Sequence, residues 1–313
     1  MRKSIAVSTK KTLKKRLITY LPFYAMMIPG IIYLIINNYI PMAGLVIAFK
    51  KYSFAKGIWK SAWVGWDNFK FFLNTDMAGV IKNTLLYNIV FIILSTVLSS
   101  SVAILLNDIR TNKVKKTFQT VFLVPHLISI IVIAYLAYAF LATSTGFINN
   151  SILKLLGKNA ISWYATPKYW PFILVFVYLW KNFGYSAIIY YATIAGIDPT
   201  YYEAASMDGA NHWTKIIHIT LPELKPTIIT LILMNIGRIF YSDFGLFYQV
   251  PMNSGSLIDV TQTIDTYIYR GLLNNANMGM SSAACFVQSV LGFLLVLAAN
   301  GIVRKISRDE ALF

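Results

Sequence analysis

Long apolar runs separated by short polar stretches dominate the chain. A run of about 20 apolar residues crosses the hydrocarbon core of a bilayer as a helix. Six runs of that kind fall at 17–49, 82–107, 118–143, 170–195, 227–248 and 280–303. Each reads as helix, because backbone polar groups in lipid must find partners within their own segment. The first run is too long for a cleaved leader, and Pro22, Pro29 and Pro41 predict that it is bent or broken. Pro125 lies inside the third. The pattern therefore predicts an all-α membrane protein: a basic tail over 1–16 and a six-helix transmembrane domain over 17–313.

One polar stretch, at about 196–222, interrupts the pattern. Asp198 is a good N-cap, and Pro199 suits the first helical position, where its missing N–H costs nothing. Glu203, Ala204 and Ala205 continue a helix, Gly209 ends it, and Asn211 is placed to cap the next one. The grammar is a short helix, a sharp turn and a second helix.

Composition agrees with the pattern. Of 313 residues 57% are hydrophobic and only 13% charged, about half the charge of an ordinary soluble domain. Mean hydropathy is +0.59. The formal net charge of +16 does not imply nucleic acid, because the cations sort by membrane side. With both termini inside, cytoplasmic segments carry sixteen Lys and Arg and outer segments ten, the expected sense of bias. The outer loops are aromatic, as an interfacial belt requires. The single Cys285 excludes an intrachain disulfide.

At the polar interruption the chain resembles a known family. Glu203-Ala204-Ala205, three residues, Gly209, nine residues, then Ile219-x-Leu221-Pro222 is the signature loop (the EAA motif) of permease subunits of binding-protein-dependent ABC importers. Asp208 and Ala210 fit its sugar-importer form. Further stretches are similar to the lipoprotein/polysaccharide-type, maltose-permease-like sugar permeases: 44–50, 63–69, 83–88 and 125–129. The resemblance implies a type I importer fold in a bacterial plasma membrane and a role in sugar import. It also implies that Glu203, Ala204, Ala205, Asp208, Gly209, Ala210, Leu221 and Pro222 form a coupling helix seated on a separate ATPase. Implied partners are a second homologous permease, two ATPase subunits holding ATP and Mg, an extracellular solute-binding protein, the sugar and membrane lipid.

The residues themselves limit the chemistry. No phosphate-cradling Gly-x4-Gly-Lys-Ser/Thr occurs, so a nucleotide belongs to another subunit. His126, His212 and His218 have no metal spacing, and no nucleophile–base pattern suggests an enzyme. An importer of a non-sugar solute shares the signature loop and is a second reading. An ion-coupled secondary transporter, the reading from another class, predicts inverted repeats and a mid-span carboxylate pair; neither is seen.

Polar residues within the spans are the remaining signal, since they are costly in lipid and default to function. Tyr178, Lys181 and Tyr185 form one stripe on the fourth span, and Asn235, Arg238, Ser242 and Gln249 a second on the fifth. Facing stripes predict a sugar path; polar contacts between packed helices are the alternative. Lys181 and Arg238 place two cations at mid-depth with no mid-span carboxylate, Asp243 being expected nearer the outer end. That points to acidic cargo unless a partner permease supplies the balancing charge.

Overall fold

The computed structural model describes residues 12–73, 75–275 and 277–306. Most of the basic tail, residues 1–11, lies outside them. The first span begins as α1 (Thr12–Leu34), loosens into a wide turn over Ile35–Tyr39 and tightens over Ala43–Phe49. Pro22 and Pro29 lie within α1 without ending it, and the predicted break falls at Pro41, between the wide turn and the tightened one. From 20 to 43 every residue of this span is exposed. A hairpin follows, β1 (Lys50–Lys51) pairing antiparallel with β2 (Ala62–Trp63).

The second span is α2 (Thr75–Asp108). The third is broken, α3 (Asn112–Leu127) turning by 93° into α4 (Ile130–Leu141). The apolar pattern predicts one helix there. Pro125 removes one helix N–H near the end of α3, Ile128 is extended, and the hydroxyl of Ser129 caps α4 by accepting from the Ile131 N–H. The fourth span, α5 (Trp170–Ala195), falls where the pattern puts it. Then come the short α6 (Pro199–Met207), the fifth span ending in α7 (Leu221–Ile236), α8 (Ile264–Asn275) and the last span α9 (Met278–Ile306). Among the described residues five helices are long and apolar enough to cross a membrane, and the bent α3–α4 pair, taken as one span, makes six.

The fifth span differs most from expectation. It covers His212–Ile236 rather than 227–248. Its helix starts in the polar interruption itself, because Asn211 caps it by accepting from the Thr214 N–H at 2.8 Å. It ends at Ile236, and an unwound stretch over 237–243 leads to a separate wide turn, Gly245–Gln249. The expected stripe Asn235, Arg238, Ser242, Gln249 is therefore not one helix face.

Three buried clusters hold the spans together. One joins α2, α4 and α5 through Phe91, Ile133, Trp170 and Leu174, with Phe247 and Val250 from beyond the unwound stretch. A second joins α2, α8 and α9 through Met77, Ile264 and Ala283. A third, toward the α6 end of the spans, holds Ala103, Tyr190 and Leu224. At Gly184 on α5, a Cβ would lie 1.9 Å from the Phe122 carbonyl oxygen of α3. Only glycine permits that approach.

Candidate functional site

Two places bring the sequence-predicted residues together. The first is the polar loop around α6. Asp198 accepts the Thr200 N–H at 2.9 Å, and that bond holds its carboxyl below the usual range. The C-terminal end of α6 closes in a Schellman turn: the Gly209 N–H donates to the Ser206 carbonyl at 3.1 Å and the Ala210 N–H to the Ala205 carbonyl at 2.9 Å. Gly209 has φ +75° with open space around it, so backbone conformation alone demands glycine there. The spacing of Ala205, Gly209 and Ala210 is thus the geometry of this turn.

Glu203, Ala204 and Asp208 are exposed along α6 and its end, and Leu221 and Pro222 where the fifth span leaves the loop. Two bonds fix the loop to its own second helix: Lys215 Nζ donates to Ser206 Oγ at 2.6 Å, and Tyr202 Oη lies 3.0 Å from Thr220 Oγ1. The end of α2 joins it through Asp108 and His212, 3.3 Å apart. Met207 is 89% exposed and Trp213 70% exposed on this surface.

The second place is a cavity at the middle of α2 and α5, in two adjoining lobes of about 360 and 310 Å³. Tyr178, Asn182 and Tyr185 line it from α5, Phe91 and Ile92 from α2, and Asn235 from the end of α7. Arg238, Tyr241, Ser242 and Asp243 line it from the unwound stretch. The rings of Phe91 and Tyr178 stack at 3.8 Å. Hydroxyls, amides, one cation, one carboxylate and aromatic faces surround the space, the set that a polyhydroxylated solute requires.

Two expected residues are elsewhere. Lys181 turns from the cavity and donates to the carbonyl oxygens of Ile128 (2.7 Å) and His126 (3.1 Å). These carbonyls lie at the broken end of α3, where helical partners are missing and the helix dipole is negative. Gln249 lies past the unwound stretch, in the wide turn. Asp243 corrects a third expectation: it lies on the same wall as Arg238, so a carboxylate does accompany the cation in the cavity. Its Oδ1 accepts the Leu246 N–H at 3.1 Å. Among the described residues the ion pairs are Lys70–Asp67 and His212–Asp108, so Arg238 and Asp243 do not pair.

Sequence reasoning misses Asn182, four residues from Tyr178 on the same stripe, and Asn88 and Gln288, amides within α2 and α9. The cost of polar groups at membrane depth is the signal that marks all three. No cluster of metal-ligating side chains occurs among the described residues.

Residues 77–308 match the family described as binding-protein-dependent transport system inner membrane component. Protein LplB of Bacillus subtilis (strain 168) is 36% identical over 292 residues, spanning 93% of this chain and 90% of that protein. The polygalacturonan/rhamnogalacturonan transport system permease protein YteP of the same organism is 32% identical over 309 residues, spanning 97% and 95%. A chain of a bacterial ABC transporter involved in the import of the acidic polysaccharide alginate superposes with TM-score 0.85 at 32% identity, covering 94% of this chain and 99% of that one. A chain of the bacterial alginate ABC transporter in complex with an alginate pentasaccharide-bound periplasmic protein superposes with TM-score 0.84 at 32% identity, covering 94% and 98%. The chain belongs to the family of inner membrane components of binding-protein-dependent transport systems, which makes it a permease subunit of an ABC importer and not an enzyme.

Proposed function

We propose that this permease forms one half of an inward translocation path for an acidic oligosaccharide. The observation that carries the reading is the mid-span cavity, where Arg238 has no ion-pair partner among the described residues while hydroxyl, amide and aromatic groups surround it. A guanidinium fork suits a carboxylate, and stacked rings suit sugar faces. The names of two relatives, one for polygalacturonan and one for alginate, support the same class of cargo.

The complex contains a second homologous permease, two ATPase subunits that hold ATP and Mg, and an extracellular solute-binding protein. Support for the second permease comes from the first span, exposed at every residue from 20 to 43. Support for the ATPase comes from the exposed face of Glu203, Met207 and Trp213. ATP binding closes the ATPase pair, α6 moves with it, and the spans shift between two packed arrangements. The chain sits in a bacterial plasma membrane with both termini cytoplasmic. ATP-dependent uptake by proteoliposomes holding the complex and its binding protein tests this reading. Uptake of galacturonate or alginate oligomers supports it. Uptake of neutral oligosaccharides alone overturns the acidic assignment, and uptake of no oligosaccharide overturns the function.

A further inference from the structure

The wall that carries Arg238, Tyr241, Ser242 and Asp243 leaves the α-helical pattern beside the middle of α2 and α5. Non-helical backbone there must be satisfied by something else. Three side chains do so, each from a different helix. Asn88 Nδ2 of α2 donates to the Ile239 carbonyl at 2.8 Å and to that of Tyr241 at 2.9 Å. Gln288 Nε2 of α9 donates to the Phe240 carbonyl at 2.7 Å and reaches Asp265. Asp265 of α8 accepts both the N–H and the hydroxyl of Ser242, the hydroxyl at 2.8 Å. Gln288 is buried and Asp265 half-buried, and neither lines the cavity.

We infer that Asn88, Gln288 and Asp265 are positioning residues: they hold the unwound stretch 237–243 open so that Arg238 and Asp243 face the translocating solute. The inference rests on the cavity being the path. Continued helix would satisfy each of these carbonyls internally; here the stretch keeps turn bonds such as Tyr241 N–H to the Arg238 carbonyl, and the Ile239, Phe240 and Tyr241 carbonyls are left to side chains from elsewhere. Continued helix would also set Arg238 and Asp243, five residues apart, about 140° from each other around the axis. They could not then share one cavity wall. The clamps come from α2, α8 and α9, so a shift of these helices against one another reaches the wall directly.

The test uses the full complex with Cys285→Ser and a reporter, Arg238→Cys, labelled by a small cationic thiol reagent. Gln288→Leu and Asp265→Leu are each expected to change the labelling rate about five- to tenfold, since each removes the partner of a backbone group. Asp265→Asn keeps an oxygen for Ser242 and is expected to label within about twofold of the parent. In complexes retaining Arg238, the leucine variants are expected to raise the uptake KM by about five- to tenfold with kcat little changed. If a leucine variant does not assemble, Asn88→Ser is read by the labelling rate alone, because Asn88 also lines the cavity. Labelling and KM unchanged in assembled variants overturn the inference. A labelling shift in a complex that imports no oligosaccharide upholds the clamps and overturns the functional reading instead.

Discussion

The ammonium of Lys181 lies 2.7 Å from the carbonyl oxygen of Ile128, at the point where the third span turns by 93°. A cation about three helical turns into α5 thereby supplies what the broken end of α3 lacks. The pair accounts for a charge at membrane depth without reference to cargo.

Lys181→Met removes that donor and leaves two carbonyls without it. Loss of a hydrogen bond to a charged group costs about 1.5–3 kcal/mol. The purified complex is expected to unfold at a lower temperature, while the uptake KM stays within about twofold. Unchanged thermal stability with a large rise in KM returns Lys181 to the path.

Gly209→Val tests the turn. A residue with a Cβ loses roughly 1–2 kcal/mol in the left-handed region, and a β-branched one fares worse than alanine. Coupled ATP hydrolysis is expected to fall in the order glycine, alanine, valine, with the amount of chain in the membrane unchanged. Equal activity in all three contradicts the Schellman geometry as the reason for this glycine.

The Asp198 cap, the Gly209 turn and the Asn211 cap are legible in the amino-acid sequence, because each depends on a few neighbouring residues. The fourth span is legible to its ends for the same reason: Trp170-Pro171 opens it and Gly196 follows it. The illegible features depend on distant partners. Near Arg238 the one local stop signal is Gly237, directly after Ile236, and it does not by itself open the stretch that follows. The reason lies in Asn88, Asp265 and Gln288, which are 23 to 153 residues away from the groups they bind. The break at Ile128 likewise leans on Lys181, 53 residues on. Periodicity extends a helix through any apolar run, and it cannot see side chains from other helices that make stopping cheaper than continuing.

Arg238→Gln separates acidic from neutral cargo. Arg238 has no ion pair to lose among the described residues. Its removal is expected to cost the acidic oligosaccharide a charged contact and the neutral one only a weaker hydrogen bond. Uptake of an acidic oligomer is expected to fall about tenfold more than that of a matched neutral one. An equal fall for both contradicts a carboxylate at this position.

Orientation is tested by single cysteines in a Cys285→Ser background. Positions 112 and 208 are expected to resist an impermeant thiol reagent in intact cells and to react in inverted vesicles. Position 159 is expected to behave in the opposite way. Labelling of position 208 from outside reverses the topology.

The most direct measurement is oligosaccharide-stimulated ATP hydrolysis by the reconstituted complex, for wild type and Glu203→Lys. Glu203 is exposed on α6 and takes part in no ion pair among the described residues, so the spans are expected to fold normally in the variant. Wild type is expected to hydrolyse ATP faster when the loaded binding protein is added, and Glu203→Lys to lose both that stimulation and its association with the ATPase. Stimulation and association both unchanged in Glu203→Lys would contradict the account of α6 as the coupling element.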